Sequence, residues 1–124
     1  MSIRVAIVDD DESVCRSLGR LLHVVGLESA GYPSAEAFLA DEARSTFDCL
    51  VLDIQLGGMS GMELQKRLVA ERLPVPIIFI TAYDNPGIRI EAERRGCAGY
   101  FRKTDPGVEI IAAIRNAAQR AKTN

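Results

Sequence analysis

The sequence predicts an α/β fold, an open and doubly wound parallel sheet of five strands with five helices, and three observations carry that reading. Short apolar runs alternate five times with stretches of helical apolar spacing. Two of the runs, 49–52 and 77–80, contain no polar residue, the mark of strands covered on both faces, and strands joined through helices are parallel neighbours with right-handed crossovers. Four runs end in an acidic, hydroxyl or basic residue, at the edge where doubly wound sheets carry their functional crevice.

Residues 3–8 form the first strand, stopped by Asp9-Asp10-Asp11-Glu12. From Val14 the apolar residues recur as Leu18, Leu21, Leu22 and Val25, which is helical spacing, and Gly26 ends the helix. Residues 28–32 are a weaker second strand, after which Pro33-Ser34 opens a helix carrying Ala37, Phe38 and Ala43, with Ser34 as its N-cap. Cys49-Leu50-Val51-Leu52 is the central strand, ending at Asp53. Gly57-Gly58-Met59-Ser60-Gly61 is a turn, and Met62, Leu64, Leu68 and Val69 give a helix that closes before Pro74. The fourth strand, 77–80, ends at Thr81; a helix over 88–95 stops at Gly96; and the fifth strand, 99–102, ends at Lys103. Asp105-Pro106 reads as a cap followed by proline at the first helical position of a last helix that reaches about residue 121.

With 48% hydrophobic and 26% charged residues over 124 positions, one packed domain over 1–124 is expected. The formal charge of -2 comes from 15 basic and 17 acidic residues without basic runs, so direct nucleic-acid binding is not expected. Cys15, Cys49 and Cys97 are odd in number and far apart, which suggests neither a disulfide framework nor a zinc site and fits a reducing cytoplasm. The N-terminus lacks a signal-peptide pattern, and no apolar stretch approaches the roughly 20 residues that span a bilayer. His23 is the sole histidine, so no histidine-based metal site or relay is available.

The strand ends bring Asp9-Asp10, Asp53, Thr81 and Lys103 to one edge. Three carboxylates at close range repel, and a hard divalent cation relieves them; Mg²⁺ suits carboxylate ligands, waters and a phosphate oxygen. A carboxylate can attack phosphorus to give an acyl phosphate, so Asp53 is the candidate nucleophile and Asp9 and Asp10 the candidate metal acids. Lys103 supplies compensating charge and Thr81 a hydroxyl donor. Taken singly, each residue has a plainer reading: the acids as a helix cap, Thr81 as a β-branched strand end, Lys103 as a solvated lysine.

Through Val8-Asp9-Asp10-Asp11-Glu12, Leu52-Asp53, Met59-Ser60-Gly61, Thr81-Ala82 and Lys103, the whole chain resembles the receiver domains of two-component response regulators. Val8-Asp9-Asp10-Asp11-Glu12-Ser13-Val14 and Pro76-Ile77-Ile78-Phe79-Ile80-Thr81 look most like receivers preceding helix-turn-helix (LuxR-type) output domains in nitrogen-fixation and aromatic-catabolism regulators. That resemblance implies a flavodoxin-like strand order, 2-1-3-4-5. It implies Mg²⁺ held by Asp10, Asp53 and the Gln55 main-chain carbonyl, with Asp9 acting through water, and the Ala82 backbone amide on the phosphate. The implied donor is a phosphohistidine on a sensor histidine kinase or phosphotransfer protein. Thr81 and Tyr100 would be the switch pair, and the fourth helix, fifth strand and fifth helix the face that controls an effector or joins a homodimer. Gln55 and Tyr83 fall where the family tunes the acyl-phosphate lifetime. The domain would act on itself rather than as an enzyme.

Two positions depart from the family. Thr104 stands where a proline with a cis bond usually follows the lysine; a non-proline cis bond costs ~2.5–4 kcal/mol, so a trans bond is expected and the placement of Lys103 is in question. Leu56-Gly57-Gly58 replaces a proline-bearing stretch beside the phosphoacceptor, which predicts a looser backbone. Among rival readings, an aspartyl-phosphate phosphohydrolase lacks a carboxylate at position 55 and a cap segment, and a nucleotide or flavin module lacks a glycine-rich loop after the first strand. A degenerate receiver that binds partners without phosphorylation is the remaining alternative.

Overall fold

Each apolar run becomes a strand in the structure, a computed structural model that describes residues 2–123. The strands are β1 (Arg4–Val8), β2 (Glu28–Tyr32), β3 (Cys49–Asp53), β4 (Ile77–Thr81) and β5 (Gly99–Arg102). Between and after them lie α1 (Glu12–Val24), α2 (Ala35–Ala40), α3 (Gly61–Ala70), α4 (Pro86–Arg95) and α5 (Gly107–Thr123), with a short 3₁₀ helix (Glu42–Thr46) after α2. All strand pairs are parallel, in the order β2-β1-β3-β4-β5.

Side-chain alternation explains why the central runs are apolar throughout. Val5 and Ile7 of β1, Cys49 and Val51 of β3, and Ile78 and Ile80 of β4 pack against Leu18 and Leu22 of α1 and Ile110, Ile111 and Ile114 of α5. Their neighbours Ala6, Val8, Leu50, Leu52 and Phe79 face the other way, onto Phe38 of α2, Leu64 and Leu68 of α3 and Ala92 of α4. A strand with a hydrophobic layer on each side has no polar face to show. The broad apolar surface of α5 is mostly core: Ile110, Ile111, Ile114, Ala117 and Ala118 are buried, and Val108 stands exposed.

Helix starts follow local capping chemistry, and three boundaries differ from the expected ones. The Asp11 carboxylate accepts from the Ser13 N–H at 2.9 Å, so α1 begins at Glu12. Ser34 caps α2 as expected, but α2 ends at Ala40 and Ala43 falls in the 3₁₀ helix, because Asp41 is extended and its carboxylate caps a new turn at the Ala43 N–H. Helix α4 begins at Pro86, earlier than its apolar spacing indicates, since Asn85 accepts from Gly87 and Ile88 and proline fits the first helical position. Asp105 does not cap α5. Its carboxylate turns back to accept from the Arg102 N–H at 2.8 Å, and the helix starts beyond Pro106 at Gly107.

Gly61, the first residue of α3, lies against the chain leaving β3: a Cβ there would fall 2.4 Å from the Asp53 carbonyl oxygen and 3.0 Å from the Ile54 Cα. Helix propensity favours Gly61→Ala by up to ~1 kcal/mol. Backbone crowding opposes it by about 1–3 kcal/mol, because neither contact belongs to a flexible side chain. Gly61→Ala is therefore expected to lower stability in denaturant melts; a gain would show that the crowding relaxes freely.

Tyr32, at the end of β2, packs edge-on against Phe38 and Phe47 and donates its hydroxyl to the Asp41 carboxylate. Burial, with that acceptor and its charge beside it, raises the phenol from 10.0 to about 12. The fold thus favours the neutral phenol: its contribution is complete below about pH 10 and is lost as pH rises toward about 12. Between those values the stability of Tyr32→Phe should fall less steeply than that of the wild type, read as denaturant midpoints against pH.

Candidate functional site

The C-terminal edge of the sheet gathers the charged residues. Asp9 follows β1 directly and is 1% exposed; its N–H donates to the Tyr32 carbonyl at 3.0 Å, which prolongs the β1–β2 ladder by one residue. Its Oδ1 accepts from the Asp11 N–H at 2.9 Å. Asp53 closes β3 and is 2% exposed, with Oδ1 accepting from the Gln55 N–H at 3.0 Å. These carboxylates sit on neighbouring strands, β1 and β3, with Val8 paired to Leu52.

Lys103 joins them. The ammonium stands 2.9 Å from Asp53 Oδ2 and 2.9 Å from Asp9 Oδ2. Its main-chain N–H donates to the Thr81 carbonyl at 2.8 Å, continuing β5 alongside β4. No peptide bond is cis among the described residues, so Lys103 reaches both acids with Thr104 in place of proline and a trans bond between them. Burial raises the Asp9 carboxyl to about 6, against the Lys103 and Asp11 hydrogen bonds that lower it. For Lys103, burial disfavours the ammonium, but hydrogen bonds and charges from Asp9 and Asp53 outweigh it and raise its pKa.

Oxygen atoms of Asp9, Asp10 and Asp53 lie within 4.8 Å of one another, close enough to share a cation. Asp9 Oδ2 is buried and, although ion-paired to Lys103, has no hydrogen bond of acceptable geometry. Asp10 is exposed, which leaves one side open to water. An all-oxygen donor set with solvent on one side suits Mg²⁺, which keeps several waters, and offers nothing to a thiolate- or imidazole-seeking metal.

The remaining expected residues are arranged less directly. Thr81 is 1% exposed at the same edge, but its hydroxyl donates to the Tyr83 carbonyl at 2.8 Å and accepts from the Tyr83 N–H at 3.1 Å, so it is engaged with the loop after β4. Ala82 and Gln55 are exposed. The Tyr100 ring is buried with its hydroxyl unpartnered, and the Arg89 guanidinium lies 5.2 Å from the ring centroid. Two further contributions stand beside these, the first within the helix-cap reading of the acids and the second outside the sequence reading. Asp11 is the cap among the four acids, and Glu36 of α2 accepts the Met59 N–H from the loop after Asp53 at 3.0 Å. Nothing in local spacing signals the second, a pairing across 23 positions.

A parallel sheet of this order, with buried acids and one lysine meeting at its C-terminal edge, defines a phosphoacceptor signalling domain. The chain belongs to the response regulator receiver domain family, which it matches over residues 5–115. It is 34% identical to the response regulator protein TodT of Pseudomonas putida over 117 residues, 94% of this chain and 52% of TodT. Nodulation protein W of Bradyrhizobium diazoefficiens is also 34% identical, over 94% of this chain and 51% of its own. The chain thus spans about half the length of the curated relatives it matches. Among solved structures, a receiver protein from Burkholderia phymatum has a TM-score of 0.81 at 37% identity, covering 95% of this chain and 96% of that one. The crystal structure of FixJ-N has a TM-score of 0.85 at 33% identity, covering 96% of this chain and 95% of that one. No helix among the described residues is long and apolar enough to cross a membrane.

Removing the ammonium tests this electrostatic balance. Lys103→Met leaves Asp9 and Asp53 without their counter-charge and should lower the stability of the metal-free protein by on the order of 2 kcal/mol. That is less than the about 3–5 kcal/mol of a fully buried broken pair, since Asp9 can take up a proton. Added Mg²⁺ should then raise the melting temperature of Lys103→Met more than that of the wild type.

Proposed function

We propose that Asp53 is the phosphoacceptor of this switch, taking a phosphoryl group from a phosphohistidine of a sensor histidine kinase or phosphotransfer protein in a Mg²⁺-dependent reaction. The observation that carries this reading is the Lys103 ammonium held 2.9 Å from both Asp53 and Asp9. An Asp53 oxygen attacks phosphorus, the bond from phosphorus to the donor nitrogen breaks, and the imidazole leaves with the electron pair. Asp9, Asp10, Asp53 and the Gln55 main-chain carbonyl would hold Mg²⁺, which when bound supplies charge to the phosphoryl oxygens. Lys103 holds a second positive charge at the acceptor, and the Ala82 N–H and Thr81 hydroxyl are the donors for the remaining oxygens. Hydrolysis of the acyl phosphate by water resets the domain, so it is its own phosphatase and turns over no separate substrate.

Thr81 gives the switch a physical content. To reach a phosphoryl group its hydroxyl must leave the Tyr83 carbonyl, which frees the loop that leads into α4. Tyr100 lies behind on β5, so α4, β5 and α5 form the face that would control an effector domain or protein, or pair two copies in a homodimer. Direct nucleic-acid contact is not proposed for residues 1–124, which we take as one receiver domain acting in the cytoplasm.

The test is incubation with a small phosphodonor and Mg²⁺, followed by intact mass. One added phosphoryl group is expected, absent in Asp53→Ala and in metal-free samples. A wild-type chain that never gains it from several donors would favour the phosphorylation-independent partner-binding reading.

A further inference from the structure

The loop that follows Asp53 contains two adjacent glycines in the stretch whose Gln55 carbonyl the proposed function assigns to Mg²⁺. Gly58 sits at φ +74°, and a Cβ on Gly57 would meet nothing within 4 Å, so neither glycine has a side chain to hold the backbone and Gly57 stands in open space. Glycines lose the most backbone freedom when ordered, and a carbonyl ligand on such a loop is poorly defined unless something outside fixes it. The loop is anchored at one end by the Gln55 N–H on Asp53 Oδ1 and at the other by the Ser60–Glu63 capping box of α3.

Between these anchors the Leu56 and Met59 side chains pack against the core, and the glycine backbone between them is restrained from α2. Glu36 Oε2 accepts the Met59 N–H at 3.0 Å and lies so close to Gly58 that a Cβ there would fall 2.6 Å from it. A main-chain N–H bonded to a carboxylate is stronger than one bonded to a neutral acceptor. The same hydrogen bond holds the Glu36 carboxyl below the usual carboxylate range.

We propose that Glu36 is a positioning residue for the Mg²⁺ site, its carboxylate pinning the 57–59 backbone and thereby fixing the Gln55 main-chain carbonyl. It does with one hydrogen bond what a proline at position 57 would do with its ring. The inference rests on the reading of Asp53 as a Mg²⁺-dependent phosphoacceptor, and it differs from the plain role of an acid in the first turn of a helix, where charge alone matters.

Three substitutions separate the two roles: Glu36→Ala removes charge and reach, Glu36→Asp keeps the charge but is one methylene short, and Glu36→Gln drops the charge but keeps an oxygen acceptor. Mg²⁺ affinity of the unphosphorylated chain is measured by calorimetry, together with hydrogen exchange of the Met59 amide. Glu36→Ala and Glu36→Asp are expected to weaken Mg²⁺ binding about tenfold, the scale of residues that orient metal ligands, and to speed Met59 exchange, while Glu36→Gln, with a weaker neutral acceptor in place, loses only a small part of that. Wild-type affinity in Glu36→Asp, or a loss in Glu36→Gln equal to that in Glu36→Ala, overturns the inference. Failure of the underlying reading is seen separately, in a wild-type chain that neither binds Mg²⁺ nor gains a phosphoryl group.

Discussion

Two carboxylates buried on adjacent strands repel each other, and the Lys103 ammonium between Asp9 and Asp53 is the interaction that makes the rest of the arrangement tolerable. The sheet order makes the meeting possible. Strands β1 and β3 are neighbours, so their C-terminal ends deliver the two acids side by side, and Lys103, just after β5 and two strands from β3, sends a long flexible side chain back across the edge of β4. The rise of Asp9 to about 6 shows that the compensation is partial: burial still outweighs the lysine at that oxygen pair. A divalent cation would supply what remains, and the three acids lie close enough together to share one.

Most of this was legible in the sequence for a definite reason. Strands covered on both faces leave continuous apolar runs, so β3 and β4 and their terminal residues Asp53 and Thr81 could be located to the residue. Helix starts were less legible, because they are set by single side chains: Asn85 and Pro86 start α4 before its apolar spacing does, and Asp105 folds back on Arg102 instead of capping α5. Contacts across many positions, such as Glu36 with Met59, leave no periodic trace at all.

The switch pair shows a related limit. The resemblance alone implies a coupled motion of Thr81 and Tyr100, yet the structure has the threonine bound to the Tyr83 backbone while the tyrosine ring is already buried. The buried Tyr100 hydroxyl has no partner, and an unpaired buried hydroxyl costs about 1–3 kcal/mol. Arg89, stacked on the ring, returns about 0.5–1 kcal/mol. Burial of the ring holds the inward position against that cost, and a perturbation of a few kcal/mol at the phosphoacceptor is of the right size to shift such a balance.

Both departures from the family pattern fall in loops at the site, and both are met by the same physical device. After β5, where Thr104 replaces a proline, the Asp105 N–H donates to the Arg102 carbonyl at 3.0 Å and the Asp105 carboxylate accepts from the Arg102 N–H at 2.8 Å. That reciprocal pair closes the 102–105 turn and keeps Lys103 at the sheet edge without a rigid ring. After β3, where glycine replaces proline, Glu36 supplies the restraint from a neighbouring helix. A proline restricts the chain covalently in every state; a hydrogen bond restricts it only while it is formed. Loops held this way can be both ordered around the acids and released by small energies, which is the property a phosphoacceptor with two conformations requires.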